Sequence, residues 1–335
     1  MSEFPGGTTP RTPRLRARWQ EPPSYRARAS LAGGATPRLP GPGESPGELV
    51  GGTEPAAYVR ADLRFLRNEL RLVFFRRRNQ LLLGVVALFP LLIGIGLKAA
   101  APHPQGGGNG TGASAFFNQL AGNGVFLTFT ALTLLLILVL PVAVAVISGD
   151  SVAGEAGYGT LRYLLAVPAG RTRLLIVKYL TIVAFAVAAT FAVSVVALLT
   201  GVALFPVGPV TLLSGTTVSL AAGLVRVLLV TLYVCAAMAA VGAIGLAVST
   251  FTEHAIGAIA TVMILIVASE VVDQIPQFAT IAPYLPTHWW DMFDSLLRVP
   301  ADTTTLWHAL VSFGVYAGLF WLIAWARFTS GDVTS

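Results

Sequence analysis

Charge and cysteine are both scarce in this sequence, and each shortage narrows the class of protein. Only 11% of the 335 residues are charged, whereas 55% are hydrophobic and the mean hydropathy is +0.73. This composition is outside the range of soluble globular domains and typical of membrane proteins. The single cysteine, Cys235, lies in an apolar stretch, which excludes a disulfide framework within one chain and favours a packing role.

The sequence also lacks the spacings that carry common enzyme chemistry. Its four histidines are scattered and form no HExxH pattern, and with one cysteine we predict no metal site. A GxSxG turn and a GxxxxGK[ST] phosphate loop are absent as well. We therefore predict that the chain is not an enzyme, has no catalytic residues and holds no cofactor of its own.

Positive charge is present, but it does not indicate nucleic acid. The net charge is +6 and the pI is about 9.8. Most of the basic residues lie beside long apolar stretches rather than on a soluble domain. Anionic membrane lipid is therefore the expected partner of this charge, and no nucleic acid is expected.

The first 57 residues predict a disordered cytoplasmic tail. They are rich in Pro, Gly, Ser, Thr and Arg and have almost no apolar content, so they cannot bury enough surface to offset the entropy of ordering. They also lack the apolar core of a signal peptide. A short cytoplasmic tail, 328–335, is expected at the other end.

Residues 58–78 predict an amphipathic elbow helix before the first span. Apolar side chains form one stripe at helical spacing, and a row of arginines lies directly beside it. Like charges three or four residues apart repel, so this row favours an external anion such as lipid phosphate. The arginines expected to face lipid are Arg60, Arg64, Arg67 and Arg71.

The remaining chain, 79–327, predicts an all-α integral membrane domain with about six transmembrane helices. Each apolar stretch is near the roughly 17 to 25 residues that cross a bilayer. The predicted spans are 81–97, 125–147, 175–200, 224–248, 255–272 and 306–326.

Lys and Arg predict the orientation of these spans. All basic residues except Lys98, Arg226 and Arg298 fall in segments that lie on one side under a six-span topology. The positive-inside rule makes that side cytoplasmic. We predict a multi-pass protein of the bacterial plasma (inner) membrane with both termini in the cytoplasm.

Two further features concern the opposite side. Arg226 and Glu270 lie near the outer ends of their spans and are candidates for an intramembrane pair; the alternative is that each reaches interfacial water. Segment 273–305 combines prolines, short apolar patches and Trp289 and Trp290. This pattern favours a pair of short helices that re-enter the outer leaflet over a loosely ordered loop.

The loop 148–174 carries the most specific pattern. Ser148 and Asp150 predict a helix start, Glu155 suits an opening turn, and Gly157 and Gly159 predict its end. A second short helix, amphipathic and lying on the membrane surface, is predicted from its leucines and ends at a proline and a glycine. Its residues are Thr160, Leu161, Leu164, Leu165, Pro168 and Gly170.

Here the sequence resembles the permease subunits of ATP-binding-cassette (ABC) exporters of the second type. The order of the spans also fits, so the resemblance covers 58–327, and the tail before it has no counterpart. The alternative is an ordinary loop of an unrelated polytopic protein, with glycines that only serve turns. The matching residues are Gly149, Asp150, Gly154, Glu155, Gly159, Thr160, Leu161, Leu164, Leu165, Pro168, Arg171 and Lys178.

The resemblance implies a role for this segment and a set of partners. It would be the coupling helix that docks onto a cassette ATPase, with two ATPase copies holding ATP and Mg²⁺ and a second permease copy or paralogue completing the transporter. The expected function is export of a hydrophobic or amphipathic substrate, such as a drug or lipid, across the plasma membrane. A lipid-modifying membrane enzyme and an ABC-coupled sensor without transport remain as alternatives.

Overall fold

The computed structural model describes residues 55–100, 123–157, 170–211, 215–300 and 302–330, with the side chains of 55–63, 100 and 211 left aside. The chain divides into two units, Met1–Ala57 and Tyr58–Ser335, and the helical bundle belongs to the second. The predicted tail, 1–57, lies almost entirely outside the described residues, as does the middle of the predicted coupling loop, 158–169.

The described residues form eight α-helices, and six of these are long and apolar enough to cross a bilayer. The prediction of an all-α multi-pass membrane protein is thereby confirmed. The helices that qualify as spans are α2, α4, α5, α6, α7 and α8. The eight helices are α1 (Pro55–Phe75), α2 (Arg77–Ala100), α3 (Phe126–Ile137), α4 (Val139–Gly157), α5 (Arg171–Leu204), α6 (Leu220–Phe251), α7 (Ala255–Asp273) and α8 (Thr303–Ser330).

Helix α6 is the centre of the bundle. It packs against α4, α5 and α8, while α2 packs on α5 and α7 on α4. Polar groups bind α6 to α5: the Ser194 and Thr231 hydroxyls are 2.8 Å apart, and Tyr179 Oη of α5 donates to the Ala239 carbonyl of α6 at 3.2 Å. The outward faces of α2, α7 and α8 are apolar and exposed, as a lipid-facing surface requires.

Glycine sets the closest approach between α3 and α5. A Cβ atom built on Gly124 would lie 2.2 Å from the Gly201 carbonyl oxygen, and one on Gly201 would lie 2.0 Å from the Gly124 oxygen. Both contacts are with backbone, so neither position has room for a side chain. Small residues at such crossings are the usual means of close helix packing in membranes.

The predicted span 125–147 is not one helix. Helix α3 ends at Ile137, and Leu138 leaves the helical region with φ −140° and ψ −51° before α4 begins. Pro141 explains the break, because it has no amide to donate to Ile137 and its ring crowds that carbonyl.

The start of the predicted coupling loop was also wrong. Ser148 and Asp150 do not initiate a helix; both lie inside α4, which runs without interruption to Gly157. The end at Gly157 agrees with the prediction. The prediction took both residues as helix caps. Ser148 instead donates its hydroxyl to the Val144 carbonyl of its own helix at 2.8 Å.

Two segments outside the α-helices lie at the end of the bundle opposite the α4–α5 connection. The first is a short antiparallel hairpin of β1 (Val210–Thr211) and β2 (Thr217–Val218), with Val210 paired to Val218. The second, within 273–305, contains three 3₁₀ helices rather than the predicted pair of short helices, and the last packs on α6 and α8. These are Pro276–Phe278, Ala282–Tyr284 and Trp290–Leu297.

The candidate pair of Arg226 and Glu270 does not form. Arg226 Nε donates to the carbonyl of Leu296 at 3.0 Å, and Arg226–Glu270 is not among the ion pairs of the described residues. The last 3₁₀ helix lies against α6 and brings the Leu296 carbonyl, rather than a carboxylate, to Arg226 Nε.

Candidate functional site: a charged cluster at one end of the bundle

Lys178, in the second turn of α5, is the most buried charge of this site. Its side chain is 3% exposed, and Nζ lies 2.6 Å from Glu155 Oε1 on α4. Nζ also donates to the Ser151 carbonyl at 2.9 Å and lies 3.9 Å from Glu69 Oε1 on α1. An ammonium group buried this deeply is tolerated only when paired and hydrogen-bonded, so this one group ties α5 to α4 and draws α1 towards both.

Asp150 makes a second connection, two helical turns before the end of α4. Its Oδ2 accepts from Arg78 Nη2 at 2.6 Å and lies 3.7 Å from Arg76 Nη1. These arginines flank the junction between α1 and α2. The Asp150 side chain lies over Gly154, where an added Cβ would be 2.3 Å from Oδ1, so glycine leaves room for the carboxylate.

These side chains form what we call the charged cluster. It connects the end of α4 with α1, the start of α2 and the start of α5. Its members are Glu69, Arg76, Arg78, Asp150, Glu155 and Lys178.

Glu155 has a different place from the one predicted. It lies in the last turn of α4 rather than in an opening turn, where the partial negative charge of the helix end disfavours a carboxylate. The charge-assisted bond from Lys178 offsets that repulsion. The 2.6 Å bond therefore explains why an acidic residue is stable at this end of a helix.

Ser249, near the end of α6, enters the hydrogen-bond ladder of α4. Its Oγ accepts from the amides of Val152 and Ala153 at 3.1 and 2.9 Å and donates to the Gly149 carbonyl at 2.9 Å. A side chain inserted in this way locally loosens a helix. The last two turns of α4 are thus held by α6 and the charged cluster as well as by their own backbone bonds.

The start of α5 is held from the other side by α8. Arg171 Nη1 donates to the Thr329 carbonyl at 3.0 Å, and Trp325 Nε1 donates to Thr172 Oγ1 at 2.9 Å. Segment 158–169 therefore leaves one anchored helix end and returns to another.

A cavity of about 210 Å³ lies beside the charged cluster. Its walls come from α1, the α1–α2 junction, α4 and α5. Apolar side chains share the lining with the charges: Leu72, Val73, Ile147 and Ile182.

Comparison with known proteins gives a family and nothing on its activity. Residues 106–334 match the family described as protein of unknown function, DUF2705. The chain belongs to this family. A search of curated proteins gave no match. The matched region includes Asp150, Glu155 and Lys178 but not Glu69 or the two arginines, so within the DUF2705 region the cluster has both carboxylates of α4 and the ammonium of α5.

The sequence-predicted site residues of this DUF2705 member fall into three groups. Asp150, Gly154 and Glu155 lie together in the last turns of α4, whereas Arg171 opens α5 and contacts α8. The elbow arginines Arg64, Arg67 and Arg71 are exposed on α1 and stay outside the cluster, with Arg71 lying 5.9 Å from the ring centroid of Phe75. The side chain of Arg60 lies outside the described residues, as do Gly159, Thr160, Leu161, Leu164, Leu165 and Pro168.

Sequence reasoning missed several members of the site. Glu69, Arg76 and Arg78 carried no pairing signal, because their partners lie about 72 to 109 residues away in the chain. Ser249 looked like an ordinary small residue of a span. Lys178 was noted among the residues that resemble ABC permeases of the second type, but its burial was not predicted. Within the described residues, no group of three or more His, Cys, Asp or Glu side chains is arranged to hold a metal ion.

Proposed function

We propose that the chain is the transmembrane subunit of an ABC exporter of the second type. In this proposal, segment 148–174 docks a separate cassette ATPase, and transport follows alternating access in a dimer. The ATP and Mg²⁺ belong to the ATPase, since this sequence has no phosphate-binding loop of its own. The substrate class we propose is a hydrophobic or amphipathic molecule, such as a drug or lipid.

The observation that carries the proposal is the anchoring of the two helix ends that flank 158–169. The end of α4 is held by Lys178–Glu155 and by Ser249, and the start of α5 by Arg171 and Trp325. In the proposed mechanism, a partner bound between these two helix ends moves α4 and α5 together, because both ends are tied to neighbouring helices. Rigid-body motion of packed helices is one of the usual ways in which a conformational change is passed on.

The charge distribution supports the proposed orientation and lipid contacts. Basic residues crowd the end of the bundle that carries the charged cluster, which the positive-inside rule places in the cytoplasm. Helix α1 precedes the first span and exposes arginines beside Leu72 and Phe75. We therefore assign it as an interfacial elbow helix in contact with anionic lipid, and segment 273–305 as the re-entrant outer element.

Site-specific photo-crosslinking tests the docking directly. A photoreactive residue at Leu161 in native membranes is expected to capture a protein whose peptides contain a GxxxxGK[ST] loop. The same residue at Gly110, which the proposed topology puts on the opposite side, should not capture it. Capture at Gly110 alone, or at neither site while the bundle is folded, would contradict the proposal.

A further inference from the structure

The cavity beside the charged cluster is lined by two close ion pairs and by two groups whose ion-pair distances are longer. Lys178–Glu155 and Arg78–Asp150 are both closed at 2.6 Å. Glu69 and Arg76, in contrast, lie 3.9 Å from Lys178 Nζ and 3.7 Å from Asp150 Oδ2, beyond hydrogen-bond distance. One carboxylate and one guanidinium that line the same cavity therefore keep hydrogen-bonding capacity for a ligand.

The opposite charges of these two groups define the ligand that can bind both. Glu69 lies within α1 and Arg76 follows its last residue, so their backbones are roughly 10 Å apart along the axis at 1.5 Å per residue. A single phosphate can pair with Arg76, but the Glu69 carboxylate repels it. A ligand that binds both groups must carry an anionic group and a cationic donor.

The surroundings point to a lipid rather than to a solute from water. The cavity is lined by α1 and by the start of the first candidate span, which begins at Arg77. Leu72, one of its lining residues, is 53% exposed, and Phe75 at the end of the same helix is 71% exposed. These exposed apolar side chains are suited to acyl chains that leave the cavity towards the bilayer.

We infer that this cavity binds the headgroup of a zwitterionic aminophospholipid of the phosphatidylethanolamine type. Its phosphate binds Arg76, and its ammonium donates to Glu69. The assignment is independent of any ATPase and differs from the contact of the elbow arginines with anionic lipid, because it requires a carboxylate. A choline headgroup has the same charges but no N–H, so it loses the hydrogen bond to Glu69.

Lipid retention by the full-length chain tests this site. The protein is purified in mild detergent, exchanged into equal mixtures of phosphatidylethanolamine, phosphatidylcholine and phosphatidylglycerol, and the bound lipids are counted by native mass spectrometry. We expect phosphatidylethanolamine to be retained in preference, and Glu69→Gln or Arg76→Gln to weaken its retention about tenfold through loss of one charged hydrogen bond. Arg67→Gln, on the same helix but not among the cavity-lining residues, should retain it like the wild type.

The controls separate a site from general charge attraction and from misfolding. Circular dichroism and gel filtration of each variant confirm that the bundle is folded before retention is compared. Equal retention of phosphatidylglycerol, or an equal loss with Arg67→Gln, would overturn the inference, because charge alone would then explain binding. Displacement of the lipid by an equal concentration of glycerophosphoethanolamine would also overturn it and assign the cavity to a soluble phosphoamine.

Discussion

Lys178 Nζ and Glu155 Oε1 are 2.6 Å apart, and this bond joins the start of α5 to the end of α4 across the segment proposed to receive an ATPase. The Lys178 side chain is 3% exposed and the Glu155 side chain 25%. Such a pair adds little stability relative to an apolar replacement of both residues, but its geometry allows few other arrangements of the two helix ends. We assign it the task of holding the two helix ends in one arrangement.

Replacing Lys178 alone should be strongly destabilising. Lys178→Met leaves the Glu155 and Glu69 carboxylates facing a site without their cation, and breaking a buried pair in this way costs about 3–5 kcal/mol. Thermal unfolding in detergent, followed by tryptophan fluorescence, measures the effect. The matched control is Lys98→Met, which removes the other lysine of the chain from an exposed position; equal shifts for the two variants would show that Lys178 is not a structural charge.

The contact of Ser249 with α4 gives a second prediction. Ser249→Ala leaves the amides of Val152 and Ala153 without their side-chain acceptor, which costs about 1–3 kcal/mol for buried groups. Hydrogen exchange at these two amides should accelerate beyond that of the rest of α4. Thr250→Ala is the control, since Thr250 Oγ1 bonds only the Ala247 carbonyl of its own helix; unchanged exchange in Ser249→Ala would refute the contact.

Close packing of α4 on α6 gives a third prediction. A Cβ on Gly245 would lie 1.9 Å from Ser148 Oγ, whereas one on Gly318 of α8 meets nothing within 4 Å. Gly245→Ala should therefore destabilise the fold by about 1–3 kcal/mol through overpacking. Gly318→Ala should be neutral or stabilising by up to about 1 kcal/mol, because alanine is the better helix former.

A double variant tests whether the loss of stability in Gly245→Ala comes from contact with Ser148. Adding Ser148→Gly to Gly245→Ala removes the hydroxyl that the new methyl group meets, so part of the lost stability should return. Thermal unfolding of the single and double variants supplies the comparison. Additive losses in the double variant would mean that the two residues are not in contact.

The start of α8 predicts a pH dependence. Asp302 Oδ1 accepts from the amides of Thr304 and Thr305, and Oδ2 accepts from Thr305 Oγ1 at 2.5 Å. These hydrogen bonds, the Thr305 hydroxyl first, lower the pKa of Asp302 below its usual value. A lowered pKa in the folded state means that the carboxylate stabilises the fold above its unfolded pKa and that this contribution is lost as the pH falls through the folded pKa.

Asp302→Asn isolates that contribution, since asparagine still caps a helix but carries no charge. The wild type should unfold at a higher temperature than Asp302→Asn at neutral pH. The difference should vanish once the pH is low enough to protonate Asp302 in the fold. A difference that persists in acid would exclude the carboxylate charge as its cause.

The sequence predicted the spans well because their signal is local. Hydropathy over some twenty residues identifies a bilayer-length helix without knowledge of its neighbours. The helices α5, α6 and α8 extend three or four residues beyond the predicted spans 175–200, 224–248 and 306–326 at either end, since a helix does not stop where its apolar stretch does.

The break at Leu138 was available to sequence reasoning and was missed. Pro141 is the signal, and its effect on the carbonyl four residues earlier is a local rule. The extension of α4 through Ser148 and Asp150 could not be predicted from local sequence, because α4 is contacted there by Ser249 of α6 and by Arg78 of the elbow region. Capping residues predict a helix start only where their side chains do not form other hydrogen bonds instead.

The charged cluster depends on tertiary contacts throughout. Glu69, Asp150 and Lys178 lie in three different helices, and each reads as an ordinary charge near a membrane span. The candidate pair of Arg226 and Glu270 is absent for a related reason: Arg226 Nε donates to a carbonyl of a 3₁₀ helix that is distant in the sequence. Charge partners across a bundle are thus set by packing, which hydropathy and spacing do not encode.

The central claim is that segment 148–174 docks a cassette ATPase, and co-purification of that ATPase with the tagged chain tests it most directly. Loss of a buried apolar anchor commonly costs over 1 kcal/mol, so Leu164→Ala combined with Leu165→Ala should reduce the recovered ATPase by about fivefold or more. Leu180→Ala with Leu199→Ala, which truncates two exposed leucines of α5, should recover it in full. Full recovery with the Leu164 and Leu165 double variant would contradict the claim.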